Sequence, residues 1–350
     1  MIESCSAIYR MRIFVVKWNE LMNTIKNRVT LSLTAMWIAM LAGCGSSSDG
    51  MPQTSTGTLN LSVSDSPFKD AAKVCIKFDG VQLKKVDQDS PIDIDFNAPV
   101  VINLMANQGA VSETLVSEEV EAGIYEWIRL KVDAVSGNFG GVGDTDTTDP
   151  TCIDEENGSY LLTDTGGAYD IWIPSDGETG LKLIRDIAVP VNGSAEYTAE
   201  WDLGKSLFGP PVPPSDVTMR PVIRLVRNDE VGTLEGTVAD TLVVACDSET
   251  TIPPSVYVFD DDGNPDNQVN ESSAGTRESF VTGRVAQEIQ GMPYTYEIGF
   301  LPAGKYEVAF TCNGIDFIPE TGKIAEILVG DPPTTVDLVA ADALAGEPNS

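Results

Sequence analysis

The chain has 350 residues, with 22 Lys plus Arg against 53 Asp plus Glu, a formal net charge of −31 and no histidine. So acidic a surface repels phosphate backbones, which argues against nucleic acid as a partner. Without histidine there is no imidazole acid–base work, no Ser-His or Cys-His nucleophile and none of the usual zinc sites. The 42% of hydrophobic residues suffice for packed cores, and the length suits two ordinary domains.

Residues 29–41 form an apolar run containing Leu31, Leu33, Met36, Trp37, Ile38, Met40 and Leu41. As a helix, such a run reaches roughly 20 Å, short of the ~30 Å hydrocarbon core. Lys26 and Arg28 precede it and small residues end it, which is the pattern of a secretory signal. Met22 opens a compact signal of ordinary length, so translation is expected to start there rather than at Met1. Leu41-Ala42-Gly43-Cys44 resembles the lipobox of bacterial lipoproteins. The resemblance implies cleavage before Cys44, diacylglycerol on its thiol and acylation of the new amine. Two or three acyl chains anchor stably, where one binds marginally. The implied partner is therefore the lipid bilayer, through acylated Cys44. Gly45, where an Asp would mark inner-membrane retention, implies the outer membrane in a host that has one. Removing residues 1–43 leaves 17 cations and 51 anions, a net −34. Residues 44–56, rich in Gly, Ser and Thr, read as a flexible tether.

No sustained helical period follows residue 57, and the expected class is all-β, with two antiparallel β-sandwich-type domains at 57–228 and 232–340 and a tail at 341–350. In the first domain, residues 58–64 alternate with Leu59, Leu61 and Val63 on one face. Residues 73–86 are strand-like, interrupted by the hairpin dipeptide Asp79-Gly80. Further strands are expected at 100–104, 127–132, 160–162, 169–173, 181–191, 195–201 and 217–226. Several stretches resemble the bacterial DUF4382 family: Gly57-Thr58-Leu59, Ser64-Asp65-Ser66-Pro67, the strand pair over 74–81, Val101-Ile102-Asn103-Leu104, Ala122-Gly123-Ile124-Tyr125-Glu126-Trp127-Ile128-Arg129-Leu130 and Arg220-Pro221-Val222-Ile223-Arg224-Leu225. The likeness spans about half the chain, with Ser66 standing where the family usually has Ala. It implies a β-domain of an exported lipoprotein and no established activity, so it supplies no catalytic residues.

The segment 137–158 carries Asp144, Asp146, Asp149, Asp154, Glu155 and Glu156 among Gly and Thr. It reads first as a solvated loop and second as a Ca²⁺ site, without EF-hand spacing. Asp260-Asp261-Asp262-Gly263-Asn264 reads first as a turn and second as a cation loop. Asp144, Asp146, Asp260 and Asp262 are thus the candidate Ca²⁺ ligands; no other cofactor is expected.

Gly232-Thr233-Leu234 restarts the strand pattern. Strands are expected at 255–259, 279–285, 294–300, 305–311, 324–329 and 335–339, a count suited to a small sandwich. Leu301-Pro302-Ala303-Gly304-Lys305-Tyr306 resembles the turn-then-strand motif of transthyretin-like and carboxypeptidase-regulatory-like modules, and it echoes Ala122-Gly123-Ile124-Tyr125. Lys305 and Lys323 are the lysines after residue 231. Neither lies on an opening strand, which argues against a Lys–Asn isopeptide link.

Of six cysteines, Cys5 precedes the processed chain and Cys44 is taken by lipid. In an oxidising compartment the remaining four are expected to pair within domains, as Cys75–Cys152 and Cys246–Cys312. Trp127, Tyr169, Trp172 and Trp201 could form a sugar platform, but aromatics on alternating strands belong first to the core. The function expected is a non-catalytic binding, adhesion or structural module at the cell envelope, with a protein or glycan ligand. The alternatives are a Ca²⁺-dependent envelope assembly protein and a carboxylate-based glycan hydrolase.

Overall fold

A computed structural model describes residues 55–66, 71–134, 142–154, 158–174, 180–208, 217–246, 254–261, 279–287, 289–312 and 322–339, all within one compact unit, Thr54–Ser350. The signal region, Met22, Cys44, Glu155, Glu156, Asp262 and residues 341–350 lie outside the described residues.

The chain is all-β. Its strands are β1 (Thr56–Ser66), β2 (Ala71–Lys85), β3 (Ile92–Asn103), β4 (Glu113–Glu121), β5 (Gly123–Val132), β6 (Tyr160–Thr163), β7 (Ala168–Trp172), β8 (Leu181–Val189), β9 (Ser194–Asp202), β10 (Leu207–Phe208), β11 (Val217–Met219) and β12 (Ile223–Arg227). They continue with β13 (Val231–Val238), β14 (Ser255–Asp260), β15 (Val281–Arg284), β16 (Tyr294–Pro302), β17 (Gly304–Thr311), β18 (Lys323–Ile327) and β19 (Gly330–Thr335). β1–β12 form a four-stranded sheet, β12-β9-β1-β4, packed on a larger sheet containing β3, β2, β5 and β8. β13–β19 form a β16-β13-β19 sheet packed on β15-β14-β17-β18. Each pair of sheets encloses its own core. Leu59, Leu61 and Val63 meet Val74, Ile76 and Phe78 in the first half; Leu234, Tyr296 and Ile298 meet Val256, Val308 and Phe310 in the second. Period-2 alternation is what places these side chains inward.

The two halves repeat one topology. β1 lies antiparallel to β4 and parallel to β9; β13 lies antiparallel to β16 and parallel to β19. After the corner that ends β4, β5 crosses to the other sheet and pairs with β2 and β8; β17 likewise pairs with β14 and β18. β3 flanks β2 as β15 flanks β14. Both halves open on Gly-Thr-Leu, because a Cβ on Gly57 would lie 2.1 Å from the Pro190 carbonyl oxygen and one on Gly232 would lie 2.0 Å from that of Leu328. The turn leading into the parallel neighbour leaves no room for a side chain there.

The corners match as well. Tyr125 Oη donates to the Glu121 carbonyl at 2.6 Å and Tyr306 Oη to the Pro302 carbonyl at 2.9 Å, each reaching back four residues in the manner of a tyrosine corner. Burial pushes the Tyr125 phenol up to about 12 and raises that of Tyr306. Tyr125→Phe and Tyr306→Phe are each expected to cost about 1 kcal/mol by urea denaturation, the net worth of one hydrogen bond.

Three sequence expectations are adjusted, and one strand is new. Asp79-Gly80 is a bulge inside β2, with register shifts toward both β3 and β5. Gly is needed there because a Cβ would sit 2.4 Å from the Ile94 carbonyl oxygen. The run 217–226 splits between sheets as β11 and β12, since Pro221 cannot donate to a ladder. The last strand is β19 rather than 335–339. Residues 336–338 extend it along β13 through Val336 N to Glu235 O and Leu338 N to Thr237 O, both 2.8 Å. β4, whose Leu115, Val116 and Val120 are buried among carboxylates, breaks simple alternation and is absent from the sequence pattern.

Candidate functional site

The acidic segment is not a free loop in its described part, 142–154. It is fastened to the outer face of β2 at every second residue. Val74, Ile76 and Phe78 point into the core, so Lys73, Cys75 and Lys77 point outward. Lys73 Nζ lies 2.8 Å from Asp144 Oδ2 and donates to the Thr151 carbonyl at 2.8 Å. Cys75 is bonded to Cys152, with the Cα atoms 5.9 Å apart. Lys77 Nζ lies 2.8 Å from Asp154 Oδ1. Tyr160 Oη donates to Asp144 Oδ2 at 2.7 Å and accepts from Ile153 N at 3.0 Å. Lys73 is 1% and Asp144 5% exposed. Burial by itself would raise the Asp144 carboxyl, but the hydrogen bonds from Lys73 and Tyr160 outweigh it and hold the group below the usual carboxylate range. Sequence reasoning took Asp144 as a candidate cation ligand and missed Lys73, whose outward position on β2 was the available signal.

Of the other candidate Ca²⁺ ligands, Asp146 follows closely, its N donating to Asp144 Oδ1 at 3.2 Å. Asp146 Oδ1 accepts from Thr148 N at 2.9 Å and Thr148 Oγ1 at 2.7 Å, Asp260 ends β14 in the other half, and Asp262 lies outside the described residues. No group of three or more His, Cys, Asp or Glu side chains able to hold a metal ion occurs among the described residues. The second disulfide, Cys246–Cys312, has a Cα separation of 5.2 Å. It joins the segment before β14 to the one after β17, as Cys75–Cys152 joins β2 to the segment after β5.

The aromatic residues give no open platform of the expected kind. Trp201 is fully buried. Trp127 is covered by the Arg129 guanidinium, 4.9 Å from the ring centroid, and by Lys182 Nζ at 4.7 Å. Tyr169 and Trp172 are half-buried on β7. Motif residues also have structural work: buried Asp65 accepts from Leu203 N at 3.2 Å, and burial raises its carboxyl well above the usual range.

A groove of about 630 Å³ lies between the 108–111 turn of the first half and the outer face of the β16-β13-β19 sheet. Register brings Glu235 opposite Glu297, Thr237 opposite Thr295 and Thr335 beside Glu235. The turn approaches so closely that a Cβ on Gly299 would stand 2.5 Å from Ala110 Cα. Some groove groups are committed to the fold. Glu297 Oε1 accepts from Ala110 N at 2.8 Å; Asp337 Oδ1 accepts from Thr237 N at 2.9 Å and Thr237 Oγ1 at 2.8 Å. The side chains of Glu235, Arg284, Thr295 and Thr335, which also line the groove, have no hydrogen-bond partner among the described residues. Together they offer one carboxylate, one guanidinium and two hydroxyls at a wet surface. None of the four was singled out from sequence, because each sits on the polar face of an ordinary strand.

No curated protein matches the chain. Similar solved structures include the Bacillus anthracis TIE protein, 12% identical over 81% of this chain and 34% of that one at a TM-score of 0.19. A leucine-rich repeat protein from Bacteroides thetaiotaomicron VPI-5482 is 11% identical over 82% and 26%, at 0.17. A fimbrial protein from Bacteroides ovatus ATCC 8483 is 9% identical over 82% and 49%, at 0.19. The chain thus spans a third, a quarter and half of these proteins, at scores that transfer no site. Residues 56–221 match the family described as domain of unknown function DUF4382.

Proposed function

We propose that the chain is an exported lipoprotein, held at the cell envelope by acylated Cys44, on the outer membrane in a host that has one. Its two halves act as two β-sandwich domains, 57–228 and 232–340, the second of transthyretin-like type, and serve binding or adhesion without catalysis. The observation that carries the binding role is the groove with Glu235, Arg284, Thr295 and Thr335 unpartnered among the described residues. A carboxylate and a guanidinium flanked by hydroxyls match a hydroxyl-rich ligand, a glycan in the first instance. A hydrolase would need two carboxylates poised about the glycosidic bond, one of them kept protonated by a shielded setting. Here Glu297 is tied to backbone, and the Glu235–Glu297 pair is open to water.

The test is a glycan array probed with residues 44–350, followed by titration of any ligand found. Glu235→Ala and Arg284→Ala are each expected to weaken binding about tenfold or more, the loss of a charge-assisted hydrogen bond. Unchanged affinity in both variants would remove the groove from the account, and release of new reducing ends would replace binding by hydrolysis.

A further inference from the structure

The first half has one end at which the chain enters from the Cys44 side. Ala122 N donates to the Ser55 carbonyl and Asn192 N to the Thr56 carbonyl, both at 2.8 Å, and Val86 N donates to the Ile124 carbonyl at 3.0 Å. These bonds gather three turns around the entry point. Each turn displays an apolar side chain more than half exposed: Val86 at 54%, Ile124 at 53% and Val191 at 58%. Beside them a groove of about 560 Å³ is lined by Ile124, Val189, Pro190 and Ala195, with Arg227 and Asn228 at its rim. Apolar side chains clustered at one end of a strongly acidic chain need an apolar or amphipathic counterpart.

We propose that this end rests on the bilayer, with Val86, Ile124 and Val191 in the interfacial layer. The proposal builds on acylation at Cys44. Ten residues lie between Cys44 and Ser55, and from one to the other the chain reaches only about 40 Å even fully extended. An anchor at Cys44 therefore keeps this end, of all the ends of the first half, nearest the lipid. Shallow insertion of a few apolar side chains is how interfacial segments bind. The charges beside these turns are paired with one another, Lys85 with Asp87 and Glu121 and Arg227 with Asp229 and Glu230, a mixed set that suits zwitterionic headgroups. The net charge of −34 for residues 44–350 disfavours anionic ones. The corresponding turn of the second half also shows apolar side chains, Leu328 at 66% and Val329 at 50%, but its chain enters from β12 instead of a tether. It is a built-in control.

With both disulfides formed, Cys44 is the free thiol of residues 44–350, so a maleimide lipid attaches there alone. Amide hydrogen exchange is compared for this chain free in solution and tethered to phosphatidylcholine vesicles. The expected result is at least threefold slower exchange on vesicles at 86–90, 122–124 and 190–193, with no change at 328–330. Val86→Asp/Ile124→Asp/Val191→Asp should abolish the slowing while the chain stays on the vesicles. Should that variant lose its melting transition, the matching Ser set replaces it. Equal exchange on and off vesicles, or slowing centred on 328–330, overturns the docking surface. The chemical tether makes this outcome independent of native acylation. An unacylated native chain whose tethered form still shows the slowing sinks the anchor and leaves the surface standing.

Discussion

Replacing Lys73 by methionine is expected to cost roughly 3–5 kcal/mol, because it leaves the Asp144 carboxylate buried without its cation. Both side chains are withdrawn from water, at 2% and 4% exposed, so solvent does little to screen the loss. Lys73→Met/Asp144→Leu should recover part of the stability, since an apolar pair of similar volume often substitutes for a buried ion pair, less the cost of taking Asp144 from the Tyr160 hydroxyl and Lys73 from the Thr151 carbonyl. The pH dependence has a definite sign. The Asp144 carboxyl is held below its ordinary value in the folded chain, so the pair's contribution is present above the unfolded pKa of about 3.9 and is lost as pH falls through the folded value. The gap between the parent and Lys73→Met should therefore be widest near neutrality and narrow toward pH 3. Urea denaturation across that range measures it; a gap of under 1 kcal/mol at pH 7 would show that the flap is held by other contacts.

Removing the neighbouring disulfide is expected to cost about 4 kcal/mol in the chain-entropy view, because Cys75 and Cys152 are 77 residues apart in sequence. The check is Cys75→Ala/Cys152→Ala against the parent by the same denaturation. Cys75 lies two residues from Lys73 on the same face of β2, and Cys152 follows Thr151, whose carbonyl Lys73 also binds. The two fastenings hold one flap, so their losses should not add. Once the disulfide is gone, Lys73→Met should cost less than in the parent, by an amount within the 0.5–3 kcal/mol seen for contacting residues. Strict additivity would mean that the flap does not detach as a unit.

The sequence carried the strands whose apolar residues alternate, and Leu59, Leu61 and Val63 are all inside as read. It also carried both disulfides, because four cysteines split evenly between the halves leave few sensible pairings. The Ala-Gly-x-Tyr echo was visible as a motif, and the structure gives it content as two tyrosine corners in one repeated topology. What stayed hidden was the consequence of chain crossing. Gly80 looks like a turn residue from its neighbour Asp79, yet its function is to let β3 pass close by. β4 reads as polar because its carboxylates face out between buried Leu115 and Val120. The acidic flap was invisible as a clamp because Lys73 and Asp144 are 71 residues apart, and nothing local says that they meet. The groove depends on Gly109–Ala110 coming against Glu297–Gly299, a contact between halves that no strand pattern encodes.

Cys44 is the residue on which the proposed envelope role turns. Metabolic labelling with radioactive palmitate, followed by membrane fractionation, tests it directly in cells expressing the full chain and its Cys44→Ala variant. The parent should be labelled and recovered with membranes; the variant should carry no label and appear in the soluble fraction or in unprocessed form. Label persisting on the Cys44→Ala chain, or a parent chain without label, would contradict it.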